Sequence, residues 1–256
     1  CGAEPLFLTD YIACGRVVPE RIADIVRGIA EACAAANTAL IGGETAEHPG
    51  LMGPDDFDMA GATVGVVEAD EILGPDKVRP GDAVVAMASS GLHSNGYSLV
   101  RRVLLTDAGL RLDSHVDELG RTLGEELLKP TRVYACDALA LIGGVEVHAM
   151  SHITGGGLAN NLARVLPETV TARLERGSWR PPAVFDLVQR LGQVSQPDLE
   201  ATLNMGVGMV GLVRAEAADA AVRLLTERGV PAWVCGELVA AGPEQRRVGP
   251  SGSHKS

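Results

Sequence analysis

A chain of 256 residues, 46% of them hydrophobic, can bury one large core or two modest ones, yet only 3% is aromatic and 31 residues are glycine. The formal charge of −11 argues against nucleic acid or an anionic membrane as partner, so a phosphorylated ligand would have to be met by local amides, metal ions or scattered Arg and Lys. Five widely spaced cysteines without a C-x-x-C pair argue against a zinc site or a disulfide framework and fit a reducing, cytoplasmic setting, and no apolar run reaches membrane-spanning length.

In chain order, residues 6–13 read as a strand carrying Asp10. Residues 19–36 read as a helix, with Pro19 at its start and Ile22, Ile25, Val26, Ile29 and Cys33 at three- and four-residue steps. A short strand at 39–41 runs into Gly42-Gly43-Glu44-Thr45-Ala46-Glu47, a polar loop covers 48–58, and 60–67 is a further strand. The charged, Gly- and Pro-bearing stretch 68–82 is the expected domain boundary. The apolar run 83–88 reads as a buried strand, followed by the loop Ser89-Ser90-Gly91-Leu92-His93-Ser94-Asn95-Gly96. Helices are expected at 97–107, 118–128 and 133–142, a strand at 147–153, then Thr154-Gly155-Gly156-Gly157 and a helical turn at 158–162. A helix at 184–191, a glycine-rich strand at 206–213, a helix at 217–227 and a strand at 232–239 follow, and the stretch from Gly249 reads as a flexible tail that adds nothing to a core. The mixture makes the class α/β or α+β.

Three stretches could carry chemistry. The loop 89–96 lies between a strand and a helix, where unpaired amides and the helix dipole suit a phosphate. Ser89, Ser90, Ser94 and Asn95 would add donors, Gly91 would let the backbone approach, and His93 is the one group there with an ordinary titration near neutral pH. The same residues would also serve as a plain turn capped by Ser94 or Asn95. Second, Glu44 and Glu47 follow a glycine pair at a strand end, and Asp10 and Asp58 could join them if their strands are neighbours; carboxylates so placed suit a magnesium–nucleotide site, while a solvated acidic turn is the alternative. Third, Thr154, Gly155, Gly156 and Gly157 precede a helix as a second phosphate cradle or a flexible connector. His148 and His152 read as structural histidines, and Asn204 either binds substrate or caps a turn. No G-x-x-x-x-G-K-[ST] or G-x-G-x-x-G pattern is present, which argues against P-loop and Rossmann readings. The residues alone thus suggest phosphoryl chemistry on a small anionic substrate.

The segments C-G-A-E-P-L-F-L-T-D-Y-I-A, L-I-G-G-E-T-A-E-H-P-G, D-M-A-G-A-T-V-G-V-V-E, S-S-G-L-H-S-N-G-Y-S-L, K-P-T-R-V-Y, H-A-M-S-H-I-T-G-G-G-L-A-N-N-L-A-R-V-L-P and N-M-G-V-G-M-V stand here in one order. From residue 1 to about residue 239, that order and spacing closely resemble the phosphoribosylformylglycinamidine cyclo-ligase (AIR synthetase) family. The resemblance implies an ATP-dependent ring closure of formylglycinamidine ribonucleotide to aminoimidazole ribonucleotide, with ATP and Mg2+ as cofactors. It implies an AIR-synthetase-like fold of two α/β domains with a cleft between them, residues 1–70 and 71–245, followed by a flexible tail at 246–256. The N-terminal sheets of two subunits would pair into a barrel, making a homodimer. On this mapping Glu44, Asp10, Glu47 and Asp58 face metal and ATP. Ser89, Ser90, Gly91, Ser94 and Asn95 face the ribonucleotide phosphate, His93 contacts substrate or transfers a proton, and Thr154 to Gly157 and Asn204 line the site. A D-G-V-G-T-K-type segment that the resemblance places upstream is not in this sequence, so part of the expected ATP site lies outside it and the activity of this truncated chain stays open. Other enzymes of the same two-domain fold (formylglycinamidine ribonucleotide synthetase, selenophosphate synthetase, thiamine-monophosphate kinase), or an inactive ligand-binding dimer, are the competing readings.

Overall fold

The computed structural model describes residues 1–242, 248–251 and 254. It divides into two compact units: a smaller one of Gly2–Ile72 with Val133–Ala140, and a larger one of Cys1, Leu73–Arg132 and Leu141–Ser256.

The smaller unit is a three-stranded sheet with a crossover helix. β1 (Glu4–Cys14) is central; β2 (Ala39–Glu47) pairs with it in parallel and β3 (Phe57–Val66) antiparallel. Between β1 and β2 runs α1 (Pro19–Ala35), the helix that a parallel pair needs as its connection. Alternation along β1 sets its two faces: Ile12 and Cys14 are buried, while Tyr11, next to Ile12, is exposed. Residues 42–47, expected to leave the strand as a loop, continue β2 because β1 offers them partners from Gly42 to Glu47, with a register shift at Leu8/Thr9. The first turn of α4 (Ala135–Gly144) belongs here too, where Cys136 Sγ lies 3.4 Å from the Ala35 carbonyl.

The larger unit is built on a six-stranded sheet ordered β11-β8-β10-β4-β9-β7. Its strands are β4 (Ala83–Ala88), β7 (Val147–His152), β8 (Val170–Glu175), β9 (Val207–Val213), β10 (Ala232–Ala240) and β11 (Val248–Ser251). β4 lies between β9 and β10 and is buried on both faces, which is why it reads as an unbroken apolar run. One core cluster joins the sheet to α5 (Gly157–Ala163) through Val84, Ala86, Leu158, Leu162, Val210 and Leu238. A second gathers Val100, Leu104, Leu123, Phe185, Val188 and Leu199 from α2 (Tyr97–Arg101) with the turns after it, α3 (Leu123–Leu127), α6 (Ala183–Gly192) and α7 (Gln196–Thr202). The last helix is α8 (Ala218–Glu227).

Several elements differ from expectation. The helix expected at 97–107 widens after Arg101, where Ala108 N–H bonds to Val103 O at 2.9 Å, a five-residue step. The helix expected at 118–128 is instead a hairpin of β5 (His115–Val116) and β6 (Arg121–Thr122) followed by α3. Thr122 and Glu125 form a reciprocal capping box, so the helix starts at Leu123. In the stretch expected to be a loose tail, Val248–Ser251 pairs in parallel with β8 and Val248 is buried in the core, because the edge of β8 would otherwise lack a partner. Residues 243–247, 252–253 and 255–256 of that stretch and its approach lie outside the described residues.

Candidate functional site

In the larger unit, the ends of β4, β7 and β9 bring together the loop 89–96, the loop 154–157 and Asn204. A Cβ added to Gly155 would lie 3.8 Å from Asn95 Oδ1, so the two loops are neighbours. Asn204, 1% exposed, is fully used as a staple. Its Nδ2 donates to Gly91 O at 2.9 Å and Leu92 O at 3.1 Å, and its Oδ1 accepts from Gly206 N–H at 2.8 Å and faces Ser89 Oγ at 3.2 Å. Of the two sequence readings of Asn204, the geometry matches a residue that fixes the backbone.

Hydroxyls expected to face a phosphate divide into two sets. Ser89 Oγ donates to Gly91 O within the loop at 2.8 Å and Ser90 Oγ to Pro130 O outside it at 2.6 Å, so both hydroxyls are committed to backbone carbonyls. Ser94 is exposed and meets Thr131 Oγ1 at 3.1 Å, and Asn95 is half-buried beside Gly155. The expected cap by Ser94 or Asn95 does not form: the N-cap of α2 is Gly96, in a left-handed conformation with φ 73°. A side chain there would collide with Leu203, whose Cδ2 lies 2.3 Å from the Cβ position.

His93 is 3% exposed and has a left-handed φ of 59°. Its Nε2 accepts the Ser90 backbone N–H at 3.1 Å. An amide can only donate, so Nε2 is the unprotonated nitrogen and Nδ1 carries the hydrogen. Burial, then the positive fields of His152 and Arg132, push its pKa down to about 4. This corrects the expectation of a group that exchanges protons near neutral pH: the buried site keeps His93 neutral, as a fixed donor through Nδ1–H.

The glycine loop is held from inside by a residue the sequence reading passed over. Asn161, 2% exposed on α5, donates through Nδ2 to Gly157 O at 2.7 Å and shares that group with Thr154 O and Gly155 O, each at 3.2 Å. Its Oδ1 accepts from Thr154 Oγ1 at 3.1 Å. The signal was available: Asn161 falls three positions after Leu158 and beside Leu162, a polar residue inside an apolar helical stripe. Gly157, with φ 69°, is pressed against α7, where a Cβ would fall 1.8 Å from Glu200 O. Burial alone would raise the pKa of Glu200, but Arg176, His254 and Gln196 outweigh it and hold the carboxyl well below its usual range; Arg176 Nε lies 2.6 Å away.

In the smaller unit the expected carboxylate cluster does not assemble. Asp10 pairs with Gly43 on β2 and Gly61 on β3, and a Cβ at Gly43 would fall 2.1 Å from Asp10 Oδ1, so a side chain there would have to displace this carboxylate. A cleft of about 330 Å³ opens beside it, lined by Asp10, Val26 and residues 40–45 of β2, so Glu44 borders the same cleft as Asp10. Asp58 pairs with Ala13, an odd-numbered position of β1, which puts it on the face opposite Asp10. Glu47 shares the Asp10 face but lies four residues along the strand, roughly 13 Å away, and its Oε1 accepts the Val17 N–H at 2.5 Å. Among the described residues no group of three or more His, Cys, Asp or Glu is placed to hold a metal ion. Of the four acids expected together, Asp10 and Glu44 border one cleft, while Glu47 and Asp58 lie away from it.

At the other end of the larger sheet, His148 is buried with Nδ1 2.7 Å from Asp82 Oδ2 and Nε2 3.1 Å from Glu146 Oε1. It borders a groove of about 620 Å³ with Lys77, Arg79 and Arg214. The groove lies away from both loops described above.

Residues 1–67 match the family model described as AIR synthase related protein, N-terminal domain, and residues 79–249 match its C-terminal domain. The phosphoribosylformylglycinamidine cyclo-ligase of Symbiobacterium thermophilum is 51% identical over 96% of this chain and 71% of its own length. Two solved structures share the fold at lower identity. Thiamine-monophosphate kinase from Stenotrophomonas maltophilia K279a has a TM-score of 0.69 at 18% identity, over 99% of this chain and 74% of that one. The hydrogenase maturation protein HypE in complex with ATP has a TM-score of 0.69 at 20% identity, over 99% of this chain and 73% of that one. Among the described residues no helix is long and apolar enough to cross a membrane.

Proposed function

The chain belongs to the phosphoribosylformylglycinamidine cyclo-ligase family, a family of C–N bond-forming ligases, and we propose that it closes formylglycinamidine ribonucleotide to aminoimidazole ribonucleotide in purine biosynthesis at the expense of ATP. The observation that carries this reading is 51% identity to a cyclo-ligase across nearly the whole chain. Thiamine-monophosphate kinase, a competing reading, shares the fold at 18% identity, a level that supports architecture alone.

ATP supplies the phosphoryl group that activates the formyl amide oxygen; an internal nitrogen then attacks that carbon and the oxygen leaves with phosphate. Such chemistry depends on positioning and charge stabilisation rather than on a protein nucleophile. The residues here divide accordingly. The staples Asn204 and Asn161 fix two loops whose outward groups, Ser94 and Asn95, are offered to the ribonucleotide, with the buried, neutral His93 packed behind them. In the smaller unit Asp10, in its slot between two glycines, is the carboxylate we assign to the nucleotide side; HypE, of the same fold, is itself an ATP binder. The described residues do not form a cage for Mg2+, and its binding here would rest on Asp10 together with nucleotide phosphates.

We also infer a cytoplasmic homodimer. The five cysteines form no disulfide. The three-stranded sheet exposes Tyr11 and Val64 on one face, and among the described residues β2 and β3 are edges that pair with no further strand, a surface that a second copy would cover. The test of function is a coupled assay on the full-length protein. ADP release that requires formylglycinamidine ribonucleotide, without glutamine or selenide, is expected; ADP release with thiamine monophosphate or selenide instead, or ligand binding without turnover, would overturn the reading.

A further inference from the structure

The segment Lys129–Pro130–Thr131–Arg132 runs along the loop 89–96 and is tied to it twice, by Ser90 Oγ on Pro130 O at 2.6 Å and by Ser94 Oγ with Thr131 Oγ1 at 3.1 Å. It brings two cations to a chain with a net charge of −11, and their situations differ. Lys129 Nζ lies 2.7 Å from Glu126, a carboxylate only 4% exposed, so its charge is already neutralised. Arg132 follows the two tied residues directly. Its Nε is buried without a hydrogen-bond partner among the described residues, and its Nη1 reaches Gly229 O at 3.5 Å, the outer limit of a hydrogen bond. A buried guanidinium donor left unused is costly unless something else accepts from it. A guanidinium is also the side chain best shaped for a phosphate, since its planar fork donates to two oxygens at once.

We propose that Arg132 is the anion anchor of this site and receives the substrate's 5′-phosphate beside Ser94 and Asn95. The proposal rests on the cyclo-ligase reading for the identity of the ribonucleotide, and on the geometry alone for the phosphate. The positive field of Arg132 at His93 agrees with this placement, since it contributes to keeping that imidazole neutral.

The experiment compares the full-length protein with Arg132→Gln, Arg132→Lys and, as a control in the remote groove, Arg214→Gln. Binding of inorganic phosphate and of formylglycinamidine ribonucleotide is measured by calorimetry, alongside steady-state kinetics and the proton NMR titration of His93. Arg132→Gln is expected to weaken both ligands and raise KM by about tenfold or more, with kcat changed far less, because it removes charge-assisted bonds to a non-reacting group. It should also raise the titration midpoint of His93. Arg132→Lys should recover part of the binding by restoring the charge without the fork, and it decides the matter alone if the Gln variant fails to fold. Arg214→Gln should bind as wild type. Phosphate and substrate binding unchanged in Arg132→Gln, or no phosphate binding by the wild type, would overturn the anchor. Arg132-dependent phosphate binding in a protein that closes no ring would leave the anchor standing and remove the cyclo-ligase reading. Ring closure with an unchanged KM in Arg132→Gln would do the reverse.

Discussion

At His93 the neighbours, rather than the residue type, decide the chemistry. A histidine pushed down to about 4 from 6.5 is neutral in the folded protein over a range where the unfolded chain binds a proton. Its contribution to stability is therefore complete above about pH 6.5 and is lost as pH falls toward 4. Urea unfolding at pH 7.5, 5.5 and 4.5 should show that loss, and His93→Gln should flatten the profile; an identical slope in the variant would contradict the assignment. Asn204 makes a sharper case, because its side chain is fully used, by Ser89, Gly91 and Leu92 far away in sequence and by the nearby Gly206 N–H. Asn204→Ala leaves the Gly91 and Leu92 carbonyls and the Gly206 N–H without it, and it should destabilise by at least about 3 kcal/mol. A shift in urea midpoint worth less than about 1 kcal/mol would mean that water or a neighbour replaces the side chain.

Among the elements, the strand–loop–helix order around 89–96 and the pattern of α1 were legible because each rests on a local period or an unbroken apolar run. What the sequence hid was long-range. β8, VTARLE, breaks its apolar run with Thr171 and Arg173, and β11 has only four residues; each becomes a strand because a neighbour offers an edge. α7 buries only Leu199, so it had no apolar stripe to read, although Ser195 and Asp198 mark its start with a cap. The carboxylates divide for the same reason: Asp10 and Glu44 border one cleft, but the strand pairing, invisible in the sequence, carries Asp58 to the other face and Glu47 four residues along. Two glycines give a matched test at this scale. Gly157→Ala meets a left-handed φ and the Glu200 carbonyl at 1.8 Å, so it should displace the loop from α7 and cost about 2 kcal/mol or more, raising KM for the ribonucleotide. Gly143→Ala, inside α4 with nothing within 4 Å, should stabilise by roughly 0.5–1 kcal/mol and leave kinetics unchanged. Thermal unfolding of the pair, with equal effects of the two substitutions, would refute the distinction.

For the whole molecule, the smaller unit carries apolar side chains and two bare strand edges that a monomer would leave in water. Val64, 43% exposed on the face that also bears Tyr11, is a suitable probe. Val64→Glu should shift the sedimenting species from dimer toward monomer at micromolar concentration, while a wild type that sediments as a monomer would remove the proposed assembly. The central claim is chemical: the formyl amide oxygen is activated by phosphorylation and departs with phosphate. The most direct measurement uses formylglycinamidine ribonucleotide labelled with 18O in the formyl group and follows the label by mass spectrometry. The inorganic phosphate formed with each aminoimidazole ribonucleotide is expected to carry the 18O atom; unlabelled phosphate, with the isotope recovered in water or in the product, would exclude activation of that oxygen by phosphorylation.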